Sequence, residues 1–264
     1  MSSLAAHVDG IGLIGPGLAD WPAARAVLRG EAPYVDAPPV VPAPAALPPA
    51  ERRRTGQIVR LSLAVGFEAV AASALDPAGL ATVFSSSGAD GDNCHAICEA
   101  LASADRQISP TRFHNSVHNA ASGYWGIASG AMAPSTSICT FEATFGAGLL
   151  EAASQVTAFD RPVLLIACDT PYPEPLHSVR PLPGCFGVAL VLSPQRSART
   201  LARIEVAAAR NEVSTIGDPA LETLRRSIPA ARGLPLLAAV ARGTATSITL
   251  DYLDGLQLTT QVTP

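Results

Sequence analysis

Lysine is missing from this sequence of 264 residues; all 18 basic residues are arginine. That absence excludes a Schiff-base lysine, a Ser–Lys dyad and the lysine of a phosphate-binding P-loop. Charge of either sign is scarce, at 15% of residues against roughly 25% in an average soluble domain. A net charge of −4 and a pI of about 5.7 speak against a nucleic-acid footprint. The Arg52-Arg53-Arg54 run reads as a solvated helix start. Hydrophobic residues make up 48% of the chain, which excludes the composition of a disordered protein. The 23 prolines and 21 glycines stay below the ~25–30% of low-complexity sequence. No window reaches the ~18 consecutive apolar residues of a membrane span. The start, MSSLAAHVDGIGLIG, lacks the basic segment and long apolar stretch of a signal peptide. A cytoplasmic protein is expected. Its odd number of cysteines, Cys94, Cys98, Cys139, Cys168 and Cys185, makes free thiols the default there.

What is present alternates. Ile11 to Leu18 reads as a first strand ending in a glycine turn, Trp21 to Arg29 as a helix, and Ala32 to Pro49 as an irregular Pro/Ala loop. Glu51 to Ala74 is the clearest helix. Ile58, Leu61, Val65 and Ala69 mark one face and Val59, Leu63, Phe67 and Val70 another, so it is expected to be buried on both sides. Leu80–Ser85, Thr136–Phe141, Pro162–Ala167, Gly187–Leu192, Leu201–Ala207 and Thr246–Leu250 read as strands. Asn93–Ser103, Tyr124–Met132, Gly148–Phe159 and Leu221–Ser227 read as helices. Apolar strands alternating with helices predict an α/β fold with a mostly parallel sheet covered by helices on both faces. The stretch from Phe113 to Phe141 carries no charge but is full of His, Asn, Ser and Gly. It belongs inside the protein or inside a protein interface.

Several sites merit a chemical reading. In SICTFEATFGAG, residues 137–148, a strand leads through a small-residue turn into a helix. This is a geometry that exposes a nucleophile and lowers a thiol's pKa. Cys139 is the candidate; a buried structural cysteine is the alternative. His114 and His118 have the spacing of two ligands one helical turn apart, or of hydrogen-bonding groups in a polar segment. Cys94, His95 and Cys98 suggest metal but lack a second cluster. Ser85-Ser86-Ser87-Gly88 lacks the P-loop pattern and reads as a strand-end turn. Asp169, after an apolar strand, sits where α/β sites tend to lie. There is no GxSxG and no GxGxxG after a strand, so nothing supports a hydrolase or a nucleotide binder.

The runs PTRFHNSVHNAASGYWGIASGA, SICTFEATFGAGLLEAA and GCFGVALVLSP resemble, in this order, the N-terminal half of the β-ketoacyl synthases. These have the thiolase-like fold. Within that family the chain is most similar to short ketosynthase-like proteins of the chain-length-factor type, from aryl polyene and xanthomonadin-type clusters. The likeness covers roughly residues 8 to 200 and is strongest over 112–152. It implies a single ketosynthase N-terminal-like domain over 1–264, with residues 200–264 the least certain part.

The departures from that family bear on function. Its cysteine has small neighbours and a helix glycine eight positions later. Counting back from Gly148 gives Thr140 and from Gly146 gives Ile138, so Cys139 is off by one in either register. Phe141 and Glu142 stand where small residues are expected, and a carboxylate there disfavours a thiolate. No histidine matches the family's catalytic pair, and the lysine, HGTGT-type and NSFGFGG-type motifs are absent. Condensation then lacks its base and its anion-stabilising site. The resemblance thus implies a non-catalytic subunit that pairs with a full-length β-ketoacyl synthase, shapes its acyl tunnel, and meets acyl carrier protein through that partner. Tunnel and interface candidates are Phe113, His114, His118, Tyr124, Trp125, Thr140, Phe141 and Phe145. No metal and no cofactor are expected. The alternative is a thiol enzyme acylated on Cys139, with a base supplied in trans or by His114 or His118.

Overall fold

A computed structural model describes residues 3–264. In chain order its elements are β1 (Leu4–Ile14), α1 (Trp21–Arg29), α2 (Pro49–Arg52), α3 (Gln57–Ser73), β2 (Ala81–Ser85), α4 (Gly91–Ala102), α5 (Pro110–His114), α6 (Ala120–Ser129) and β3 (Ser135–Ile138). They continue with α7 (Thr144–Phe159), β4 (Val163–Asp169), α8 (Leu176–Val179), β5 (Phe186–Ser193), β6 (Ala202–Ala209), α9 (Pro219–Ser227), α10 (Leu234–Arg242), β7 (Thr246–Leu253) and β8 (Leu256–Thr263). The helix expected from Glu51 is broken. Gly56 is extended (φ −73°, ψ 175°) and packs so close to Asp90 that a Cβ would stand 2.1 Å from its carboxylate. The helix therefore restarts at Gln57.

The strands form one eight-stranded sheet, in the order β3-β2-β4-β5-β1-β6-β8-β7. Only β3–β2 and β2–β4 run parallel; every other pairing is antiparallel. The sheet is α/β and covered on both faces, but it is not mostly parallel. Every residue of β4 and β5 is buried because helices lie on both sides. That cover makes a strand apolar whatever its direction.

Side chains alternate across the sheet. Val163, Leu165 and Ala167 of β4 join α7 and α10 in one core, while Leu164, Ile166 and Cys168 join α3 in the other. α3 has the sheet on one side and, on the other, Trp125 and the Pro/Ala loop's Val41 and Leu47. Both of its predicted apolar faces are thereby used. Gly10 and Gly12 let β1 approach α3: a Cβ at either would stand 2.1 and 2.0 Å from backbone oxygens of Ala69 and Val65. Residues 200–264 complete the sheet through β6, β8 and β7 and supply α10 to the core.

Candidate functional site

The sheet's parallel end carries the site. β3 stops at Ile138, and Cys139 and Thr140 follow. Phe141 then takes φ +52° and opens a single 3₁₀ turn, Phe141–Ala143, that runs into α7. A bulky residue in the left-handed region costs about 1–2 kcal/mol and needs support. Thr144 Oγ1 donates to the Phe141 carbonyl at 3.1 Å, and the Arg180 guanidinium lies 3.6 Å from the ring centroid. The side chain that this elbow lifts clear of the sheet is thus a phenyl ring, 61% exposed.

Cys139 sits two residues earlier. Its thiol is exposed and donates to the Ser87 carbonyl at 3.2 Å, not to a base. Thr140 is half-buried and its hydroxyl has no partner. Ser87 belongs to the predicted strand-end turn. Its N–H donates to Asp169 Oδ1 at 2.7 Å, and Ala230 N–H donates to Oδ2 at 2.8 Å. Asp169 is 1% exposed, and burial pushes its carboxyl above the usual range despite those bonds. It joins the ends of β2 and β4 to the turn at 229–233.

A chain of ion pairs starts at the elbow. Glu142 meets Arg180 at 3.0 Å and also pairs with Arg232. Arg232 reaches Asp251 at 3.6 Å. Asp251 accepts from the buried Arg225, which is held in turn by Glu222, both at 2.8 Å. The C-terminal hairpin is thereby tied to the elbow. Arg180, Arg225 and Arg232 escape sequence reasoning because each lies far from Glu142 in the chain and in no recognisable motif.

The other predicted residues separate. Phe113 and His114 are exposed at the end of α5, and His118 lies in the turn before α6. The two histidines are therefore not one turn apart on a single helix. His118, whose Nε2 is buried and unpartnered, lines a narrow cleft with Ile58, Phe84, Val117 and Cys168. Burial pushes the Cys168 thiol far up, so it is inert. Tyr124 donates to Asn115 Oδ1 at 3.1 Å, and Trp125 packs on Phe67 with ring centroids 4.7 Å apart. Phe145 is fully buried beneath Gly233. These three rings belong to the chain's own cores. The uncharged segment instead exposes Phe113, Val117, Ile127, Met132 and Phe141. Among the described residues, no group of three or more His, Cys, Asp or Glu is arranged to hold a metal. No helix among them is long and apolar enough to cross a membrane.

The family model described as beta-ketoacyl synthase, N-terminal domain, matches residues 21–246. No curated protein matches the chain. Among solved structures, it is similar to a chain of the ketosynthase ApeO in complex with its chain length factor ApeC from Xenorhabdus doucetiae. The TM-score is 0.74 at 23% identity, covering 98% of this chain and 99% of that one. It is also similar to a chain of the ishigamide ketosynthase/chain length factor, with TM-score 0.70 at 13% identity and coverages of 98% and 99%. The third is a chain of the AntDE:AntF complex, a type II polyketide acyl carrier protein with its ketosynthase bound to the hexaketide. There the TM-score is 0.74 at 11% identity, covering 100% and 99%. At these identities the likeness is one of fold.

Proposed function

The chain belongs to the β-ketoacyl synthase N-terminal-domain family, and from that premise we propose that it is a non-catalytic subunit of the chain-length-factor type. It forms one domain over 1–264, pairs with a full-length β-ketoacyl synthase in the cytoplasm, and helps bound the tunnel that holds the growing acyl chain. Acyl carrier protein reaches the pair through the synthase. The biosynthetic setting is of the polyene or fatty-acid type.

One observation carries the reading: the elbow residue is Phe141. A strand-to-helix elbow serves catalysis by presenting a nucleophile, and a phenyl ring has none. Cys139 lies before the elbow, and its thiol donates to the Ser87 carbonyl rather than to a base. The partner surface is the uncharged segment, where exposed Phe113, Met132 and Phe141 supply the aromatic and methionine side chains that interfaces favour. The edge strand β3 is part of that segment.

Native mass spectrometry of the chain alone, and co-expressed with the ketosynthase encoded beside it, tests this. The expected result is a stable one-to-one complex. Its condensation is lost when this chain is omitted and kept when Cys139→Ala replaces the native chain. A well-behaved lone monomer that carries an acyl adduct on Cys139 would establish a thiol enzyme instead.

A further inference from the structure

We propose that Arg180 and Arg232 form a carboxylate-binding site at the elbow, and that Glu142 is the internal carboxylate that fills it. The two guanidinium groups come from separate parts of the chain, Arg180 after α8 and Arg232 from the 229–233 turn before α10. Both converge on the two oxygens of one side chain, Arg180 on Oε1 and Arg232 on Oε2. Such a clamp is what arginine offers a carboxylate. It is also fixed from behind. Asp251 holds Arg232, and Arg180 is flattened over Phe141, with Tyr172 at 5.8 Å.

The donor count exceeds what Glu142 uses. Nε, Nη1 and Nη2 of Arg180 are all buried, and none makes a directed hydrogen bond; the contact with Glu142 is one of charge and distance. The Thr140 hydroxyl beside the elbow is also buried and unpartnered. Buried unpaired donors of this kind mark a place built for an acceptor. Glu142 itself is 42% exposed, so it fills the clamp from the solvent side. With Glu142 removed, a small organic carboxylate such as acetate or malonate has the charge and shape to take its place. While Glu142 stays, the site is closed to outside carboxylates. This inference concerns the chain alone and does not depend on any partner.

Chemical rescue in the full-length chain tests it. Glu142→Ala is expected to lower Tm, and about 100 mM acetate or malonate to raise it again by about 3 °C or more relative to chloride at equal ionic strength. The native chain should show no carboxylate-specific shift. In Glu142→Ala/Arg232→Gln the rescue should disappear. Should Glu142→Ala not fold, Glu142→Gln, which removes the charge but keeps the volume, takes the same measurement. Equal response to acetate and chloride in the folded variant, an equal shift in the native chain, or a rescue that survives Arg232→Gln would each overturn the proposal.

Discussion

At Phe141 two opposing effects can be weighed. Its left-handed backbone costs about 1–2 kcal/mol, and the arginine stacked on its ring returns about 0.5–1 kcal/mol or more. Glycine at this position relieves the first and forfeits the second. Alanine keeps the strain and loses the ring. Phe141→Gly should therefore stay within about 1 kcal/mol of the native chain, and Phe141→Ala should be about 1 kcal/mol less stable than it. Urea unfolding of the three proteins checks the order. Alanine ranking above glycine would mean that the strain lies elsewhere. Sequence reasoning fastened on Cys139 because a thiol at a strand-to-helix turn is chemically conspicuous. Which residue the turn presents depends on backbone angles, and these depend on distant Arg180 and on Thr144, which no local pattern reveals.

Among elements, the tightest junction is that of β1 with α3. Gly12 lies against the carbonyl of Val65 and has no room for a methyl group. Gly12→Ala must push the helix off the sheet, which costs about 3 kcal/mol or more by the usual scale of overpacking. Thermal unfolding should show a loss of that order. A neutral substitution would mean that α3 shifts freely. Most elements were legible because their cause is local. Trp21–Arg29 has its Asp20 cap and Gly30 stop, and β4 and β5 are apolar throughout. β1 runs from Leu4 to Ile14, seven residues ahead of the expected start at Ile11, because its polar His7 and Asp9 interrupt the apolar pattern. β8 lies outside the expected strands, although Leu256, Leu258, Thr260 and Val262 alternate and Asp254-Gly255 before it is a hairpin signal.

The whole molecule has a pH signature. Burial raises the carboxyls of Glu68, Asp90 and Asp169. A carboxyl whose folded pKa exceeds its unfolded one binds its proton more tightly in the native state, so stability falls as pH rises between the two values. Glu222 and Glu205 are lowered by their arginines. Their contribution is present above the ordinary carboxylate range and is lost only below it. Unfolding free energy should therefore increase as the pH is lowered from neutrality toward the ordinary carboxylate range, and decline below that range, where the lowered carboxyls take up protons. Urea titrations across that interval check the sign. A monotonic fall on acidification would show that the lowered carboxyls dominate.

Composition and periodicity alone told that the chain is α/β, that α3 is buried on both sides, and that lysine chemistry is impossible. Each follows from residue types or from neighbours within a few positions. The sheet's mainly antiparallel order needed the tertiary structure, because burial on both faces makes a strand apolar in either direction. So did the Phe141 elbow, with Glu142 held between two arginines. Those contacts join residues as much as 90 positions apart, and only the completed fold brings them together.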